Sequence, residues 1–153
     1  AVAESQKEEY RDRVPKAWVQ SVTIRHRDLI STHRERLITR QKWAEYFQEV
    51  DVLLCPVVRV AAHAHDHTPI RDRVIDFEGE EENYWKVVGP WNALSLVAHL
   101  PATVAPIGMT PDNLPVGIQI IGPYLEDRTP MQFARLLETE LTGPYQLPKG
   151  FEL

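Results

Sequence analysis

Three short apolar runs constrain this chain more than any other feature. Val52-Leu53-Leu54-Cys55 is continuously apolar, Ala102 to Ile107 and Val116 to Ile121 are apolar apart from Thr103 and Gln119, and all three are too short to be core helices. Such runs read as strands buried on both faces, without the in-out alternation of a strand that has one wet face. Strands of that kind need helices on each side and neighbouring strands at each edge. Three of them are too few for a complete doubly covered sheet, so physics alone predicts part of a domain. The turn-rich stretch from Gly108 to Pro115 is short enough to join the last two runs as a hairpin.

The intervening segments read as helices and one exposed hairpin. Residues 16–50 have a helical pattern, with Trp43, Tyr46, Phe47 and Val50 at i, i+3, i+4 and i+7. Upstream, Val22, Leu29, Ile30, Leu37 and Ile38 suggest a further helix or a bent continuation, and Thr32-x-x-Glu35 has the form of a capping box. Residues 51–58 hold the first strand, and 73–80 form a hairpin around Glu78-Gly79. Residues 83–98 are helical but interrupted by Gly89-Pro90, as two short helices or one kinked one. Residues 102–122 are the strand pair. Over 128–142 a last helix is expected, capped by Asp127 and with Pro130 in its first turn. Phe133, Leu136, Leu137 and Leu141 would be its buried face, and Gly143-Pro144 its stop.

Composition narrows the function classes. At 153 residues the chain has the size of one domain, and its net charge of −5 argues against nucleic acid or an anionic membrane as partner. Ten of the 17 basic residues fall in the first 50 positions, but eight acidic residues are mixed among them, the pattern of a solvated helical surface. The single cysteine, Cys55, excludes an intrachain disulfide and fits a reducing cytoplasm. Its apolar neighbours make it a structural thiol. No apolar stretch approaches the ~20 residues of a membrane span. The opening Ala1-Val2-Ala3-Glu4 has neither a methionine nor the basic-then-apolar layout of a signal peptide, so the chain is expected to begin partway through something longer.

A family resemblance enters at residues 101–122. Pro101-Ala102-Thr103-Val104-Ala105-Pro106-Ile107-Gly108, then Asp112-Asn113-Leu114-Pro115-Val116-Gly117-Ile118-Gln119-Ile120-Ile121-Gly122, resembles the C-terminal region of the amidase-signature family. That family reads LPA, P-x-G and DGLPVGxQIxG here. Leu125-Glu126-Asp127-Arg128 and Phe133 to Glu138 continue the likeness. Upstream, Trp43 to Pro56 is similar to its W…F…DVLLCP segment, and Ala62 to His67 to its AxxHD loop. Asn113 stands where the family has glycine, in a turn that demands positive φ, and asparagine is the next most tolerant residue. His99 replaces another common glycine, which would reshape the end of the helix before Leu100-Pro101. The resemblance implies an α/β fold. This chain would be the C-terminal part of a mixed twisted sheet covered by helices on both faces, with the sheet incomplete.

Family members hydrolyse carboxylic amides to acid and ammonia or amine through a Ser-Ser-Lys arrangement whose nucleophile sits in a Gly/Ser-rich loop. The four serines here (Ser5, Ser21, Ser31 and Ser95) are isolated, and none is flanked by glycine. No catalytic residue is assigned, and the chain alone is expected to be inactive. The resemblance implies neither a cofactor nor a resident metal. It implies a small-molecule amide substrate in the full-length enzyme, and it makes Trp91, Asn92 and Ser95 on the helix before Leu100 pocket residues. Tyr84, on a preceding helix, and His65, in the loop at the pocket mouth, join them. Spacing alone reads Trp85, Val88, Trp91 and Leu94 as core.

His63, His65 and His67 alternate, so an extended strand would place their imidazoles on one face, and a Zn²⁺ or Ni²⁺ site is chemically conceivable. Three ligands from one short segment reach tetrahedral geometry only if the segment bends. The competing readings are therefore a section of an amidase, a non-catalytic interaction fragment, and a histidine metal module. The missing N-terminal part of the same protein is the expected partner. Without it, self-association into a homo-oligomer through the uncovered edge is expected.

Overall fold

A computed structural model describes residues 20–144 of the chain. The element order is α1 (His26–Tyr46), β1 (Leu53–Pro56), β2 (Val74–Phe77), β3 (Glu80–Asn83), α2 (Tyr84–Ala98), β4 (Ala102–Met109), β5 (Pro115–Ile121) and α3 (Arg128–Leu137), which ends in a π-helical turn over Glu138–Thr142. The helical reading of residues 16–19 lies outside the described residues.

The three apolar runs become one sheet in the order β1-β5-β4. Both pairings are antiparallel, with Leu53 and Ala102 flanking Ile121 on either side. Ile120 and Ile121 point to opposite faces, yet both are 0% exposed, so β5 is covered on both sides as its apolar run requires. The flanking strands are not. Leu54 in β1 is 41% exposed and Val104 in β4 56%, because each strand has a neighbour on one side only among the described residues. The parallel pairings that a mixed sheet contains are likewise absent from the described residues.

On one face, Cys55, Ala98, Leu100 and Ile121 form the core, with Trp43, Phe47, Leu53, Trp91 and Leu94 packed against it. Cys55 is buried, as a structural thiol should be. The other face receives α3. Pro130 at its start is fully buried against Gly122, where a Cβ would come within 2.6 Å of the Pro130 ring.

Turn chemistry follows the sequence closely. Glu78 (φ 59°) and Gly79 (φ 88°) are the two central residues of the β2–β3 turn, the positive-φ pair of a tight hairpin. Asp76 Oδ1 accepts from the Gly79 amide at 3.0 Å. The β4–β5 connection runs from Thr110 to Leu114, with Asn113 N–H donating to Thr110 O at 2.9 Å. Asn113 takes φ 61°, the left-handed conformation expected of the glycine it replaces.

Helix boundaries depart from expectation in four places. First, Thr32 does not start a helix. α1 has already begun at His26, and the Thr32 hydroxyl donates back to Asp28 O at 3.1 Å. Second, Tyr84 is not on a separate preceding helix: of the two alternatives for residues 83–98 the single helix with Pro90 inside it holds, and Tyr84 opens the helix that carries Trp91. Third, Asp127 makes no side-chain cap because its backbone is already helical. The first turn is closed instead by Thr129 N–H donating to the Glu126 backbone carbonyl at 3.0 Å, with the Thr129 hydroxyl donating to the Glu126 carboxylate at 3.1 Å. Fourth, Leu136 and Leu141 are exposed. The sheet-facing stripe of α3 runs through Pro130, Phe133, Ala134 and Leu137, and the wider π turn carries Leu141 out of phase with it.

Candidate functional site

Four of the five residues singled out from the sequence lie on α2, and His65 lies in the connection between β1 and β2. The first turn of α2 is fixed by Asn83, whose side chain accepts from the Trp85 amide at 3.0 Å. Its last turn is closed by Leu100 N–H donating to Ser95 O at 2.9 Å and His99 N–H donating to Leu96 O at 3.3 Å. His99 adopts φ 56°, ψ 43°. These are the two crossed bonds of a Schellman motif with histidine in the glycine position, so the helix end keeps its usual shape despite the side chain. Tyr84, Val88, Trp91, Asn92 and Ser95 then fall on one stripe of the helix.

Trp91 packs against the core, and its carbonyl accepts from Gln119 Nε2 at 3.2 Å. The same amide group reaches Cys55 Sγ at 3.2 Å. Gln119 is the one polar residue in the apolar run of β5. It is buried, and its two donor hydrogens tie the middle of α2 to β1. Asn92 and Ser95 are half-buried and turned onto their own helix. Asn92 Nδ2 donates to Val88 O at 2.9 Å, and the Ser95 hydroxyl donates to Asn92 O at 3.4 Å.

His65 and Tyr84 meet in one open cleft of about 340 Å³, which also holds His63, His67, Asp66 and Arg73. The His63 ring meets the Tyr84 ring edge-on at 6.0 Å, and the Arg73 guanidinium lies 5.9 Å from the Tyr84 ring centre. Asp66 is held below the usual carboxylate range, first by the Thr68 hydroxyl and backbone amide that donate to it, and then by the charges of Arg73 and His67. Among the described residues no three His, Cys, Asp or Glu side chains converge closely enough to hold a metal ion. The cleft does not include Trp91, Asn92 or Ser95, so the structure brings together two of the five predicted site residues there and keeps the other three along the helix.

A larger cleft of about 640 Å³ lies between α1 and the loop after β5. Arg40, Gln48, Asp51, Tyr124, Glu126 and Thr129 are among its walls, and sequence reasoning singled out none of them for a site. No helix among the described residues is long and apolar enough to cross a membrane.

The arrangement is shared with solved amidases. A crystal structure of an amidase superposes with a TM-score of 0.63 over 91% of this chain and 32% of that one, at 19% identity. A bacterial aryl acylamidase of the amidase signature family gives 0.62 over 90% of this chain and 30% of that one, at 21% identity. These likenesses define the fold as part of the amidase-signature fold. The family follows from sequence: the Amidase family model matches residues 4–130, and the chain belongs to that family. Among curated relatives, the A subunit of glutamyl-tRNA(Gln) amidotransferase from Prochlorococcus marinus (strain MIT 9303) is 35% identical over 120 residues, and that from Helicobacter pylori (strain G27) 25% over 114. These matches cover 75% and 73% of this chain and 22% of each relative, so the chain spans about a fifth of their length.

Proposed function

We propose that the chain is the C-terminal section of a single amidase-signature domain that hydrolyses a carboxylic amide to acid and ammonia or amine. In this reading it supplies scaffold and one wall of the substrate pocket. The observation that carries it is the family match over residues 4–130 in a chain whose four serines all lack flanking glycine. The nucleophile, its relay and the oxyanion donors then come from the remainder of the same protein. That remainder also covers the open sides of β1 and β4. A doubly covered β5 between half-bare neighbours supports this, since each neighbour lacks a second strand among the described residues.

Within the section, Tyr84, Trp91, Asn92 and Ser95 form the pocket stripe of α2, and His65 stands with Tyr84 at its mouth. Trp91 acts by setting the position of the helix, because its ring is committed to the core. Tyr84, Asn92 and Ser95 are the polar groups available to orient a small amide, the usual division of labour in such pockets.

By itself the chain does not hydrolyse amides. Enzymes stripped of a catalytic triad keep roughly 10³–10⁴-fold catalysis through the oxyanion hole and binding contacts, and here that loop is absent as well. An activated anilide incubated with the purified chain should release no amine above buffer. Turnover that persists through repurification refutes the assignment. The reading frame upstream of Ala1 offers an independent check: it should encode a lysine and a Gly-Ser-Ser-Gly-like run, and a frame without them removes the amidase reading.

A further inference from the structure

Arg40 of α1 makes three contacts that the site described above does not use. Its Nε donates to Ala98 O at 3.0 Å, its Nη2 lies 3.3 Å from His99 Nδ1, and its guanidinium stands 3.8 Å from the centre of the Tyr124 ring. One side chain thus joins α1, the end of α2 and the loop that follows β5. Ala98 O is one of the last-turn carbonyls that the Schellman bonds leave unserved, at the negative end of the helix dipole. A guanidinium there is favourably placed by charge and by geometry.

The His99 contact fixes a protonation state. Arginine has donors only, so Nδ1 must present a lone pair, and the ring proton sits on Nε2. A proton added at Nδ1 turns that acceptor into a donor and sets two cations 3.3 Å apart. We infer that Arg40 is the positioning residue of α2, and that it holds the helix end only while His99 is neutral. The assignment rests on the proposed pocket role of α2, because Tyr84, Asn92 and Ser95 move with that helix.

The charged surroundings point the same way. His33, Arg36 and Arg40 all act on His99 from α1, and each opposes its protonation. Tyr124 lies behind Arg40 as a neutral stacking partner, and Asp51 and Glu126 line the cleft on the Arg40 side. His99 titrates below the ordinary value of 6.5, first through loss of water contact and then through Arg36, Arg40 and His33. A lowered imidazole favours the native state fully above the ordinary value. That contribution is lost as pH falls through it toward the lowered one. The tie is therefore closed at neutral pH and opens in acid.

The test is hydrogen exchange on the ¹⁵N-labelled full chain, followed at the Arg40 side-chain Nε–H and at the backbone amides of His99 and Leu100. Their protection, corrected for intrinsic rates, should fall about tenfold or more between about pH 7.5 and about pH 5. His99→Asn keeps an acceptor and tolerates the left-handed backbone but cannot titrate, so its protection should stay high at both values. Arg40→Lys loses the fork and the ring contact, and should lower protection of His99 and Leu100 already at neutral pH. Wild-type protection that does not change with pH overturns the inference, as does a parallel fall in His99→Asn. No substrate enters the measurement, so its failure leaves the amidase reading intact, and failure of the anilide or reading-frame test leaves this one intact.

Discussion

Replacing Gly122 with alanine puts a methyl group where Pro130 already stands. The added Cβ would lie 2.6 Å from Pro130 Cδ and 3.1 Å from its Cγ. Carbon atoms in contact prefer about 3.5–4.0 Å, so one partner must retreat by about 1 Å. Neither can do so cheaply. The Pro130 ring is closed onto its own backbone in the first turn of α3, and Gly122 is held on the sheet by its amide, which donates to Pro101 O at 3.0 Å. The displaced unit is α3 itself. Overpacking of this kind costs about 1–3 kcal/mol, and the rigidity of both partners places Gly122→Ala in the upper half of that range. Urea unfolding of the chain followed by tryptophan fluorescence should show a loss of about 2–3 kcal/mol, or a melting temperature lower by roughly 4–12 °C. Pro130→Ala removes the ring carbons in the way, at its own cost of about 1–2 kcal/mol for lost burial. The double variant should then be no worse than Pro130→Ala alone, giving a coupling of about 2–3 kcal/mol. Additivity within about 0.5 kcal/mol refutes the steric account.

Two further substitutions probe the start and middle of α2. Gln119→Leu should destabilise by about 0.5–1.5 kcal/mol in the same urea assay, because the Trp91 carbonyl loses the second donor that it has beside its own helix. A change under about 0.5 kcal/mol would show that the amide bridge contributes nothing net. Asn83→Ala removes the side chain that accepts from the Trp85 amide, and should cost about 1 kcal/mol with faster amide exchange confined to the first turn.

What the sequence disclosed was mostly local. The apolar runs marked the strands, although among the described residues only β5 is covered on both faces. Glu78-Gly79 and Asn113 marked turns because few residues accept positive φ. Where the reading failed, the deciding partner was remote or the helical phase changed. Thr32 has the composition of a cap but sits inside a helix that had already begun at His26. Leu141 keeps the right spacing for an α-helix but lies within a π turn. Gln119 carried a usable signal, since a lone amide within a doubly buried strand must find partners. Those partners lie 64 and 28 residues away, beyond the reach of local pattern. Arg40 offered no signal at all among the many charges of α1. Of the candidate site, the helix could be read but the cleft could not, because His65 and Tyr84 meet only through the fold.

The strand order β1-β5-β4 also bears on how the chain comes together in time. β5 meets β4 across a tight turn, where Met109 pairs with Pro115, but it meets β1 only by closing the span from Leu53 to Ile121. Closing that larger loop costs about 2 kcal/mol more chain entropy than closing the hairpin. The β4–β5 ribbon is therefore the early structure, and β1 joins only after the intervening residues have compacted enough to bring it near. The most family-like residues of the chain are thus also those that can organise first, and the rest of the sheet assembles around them.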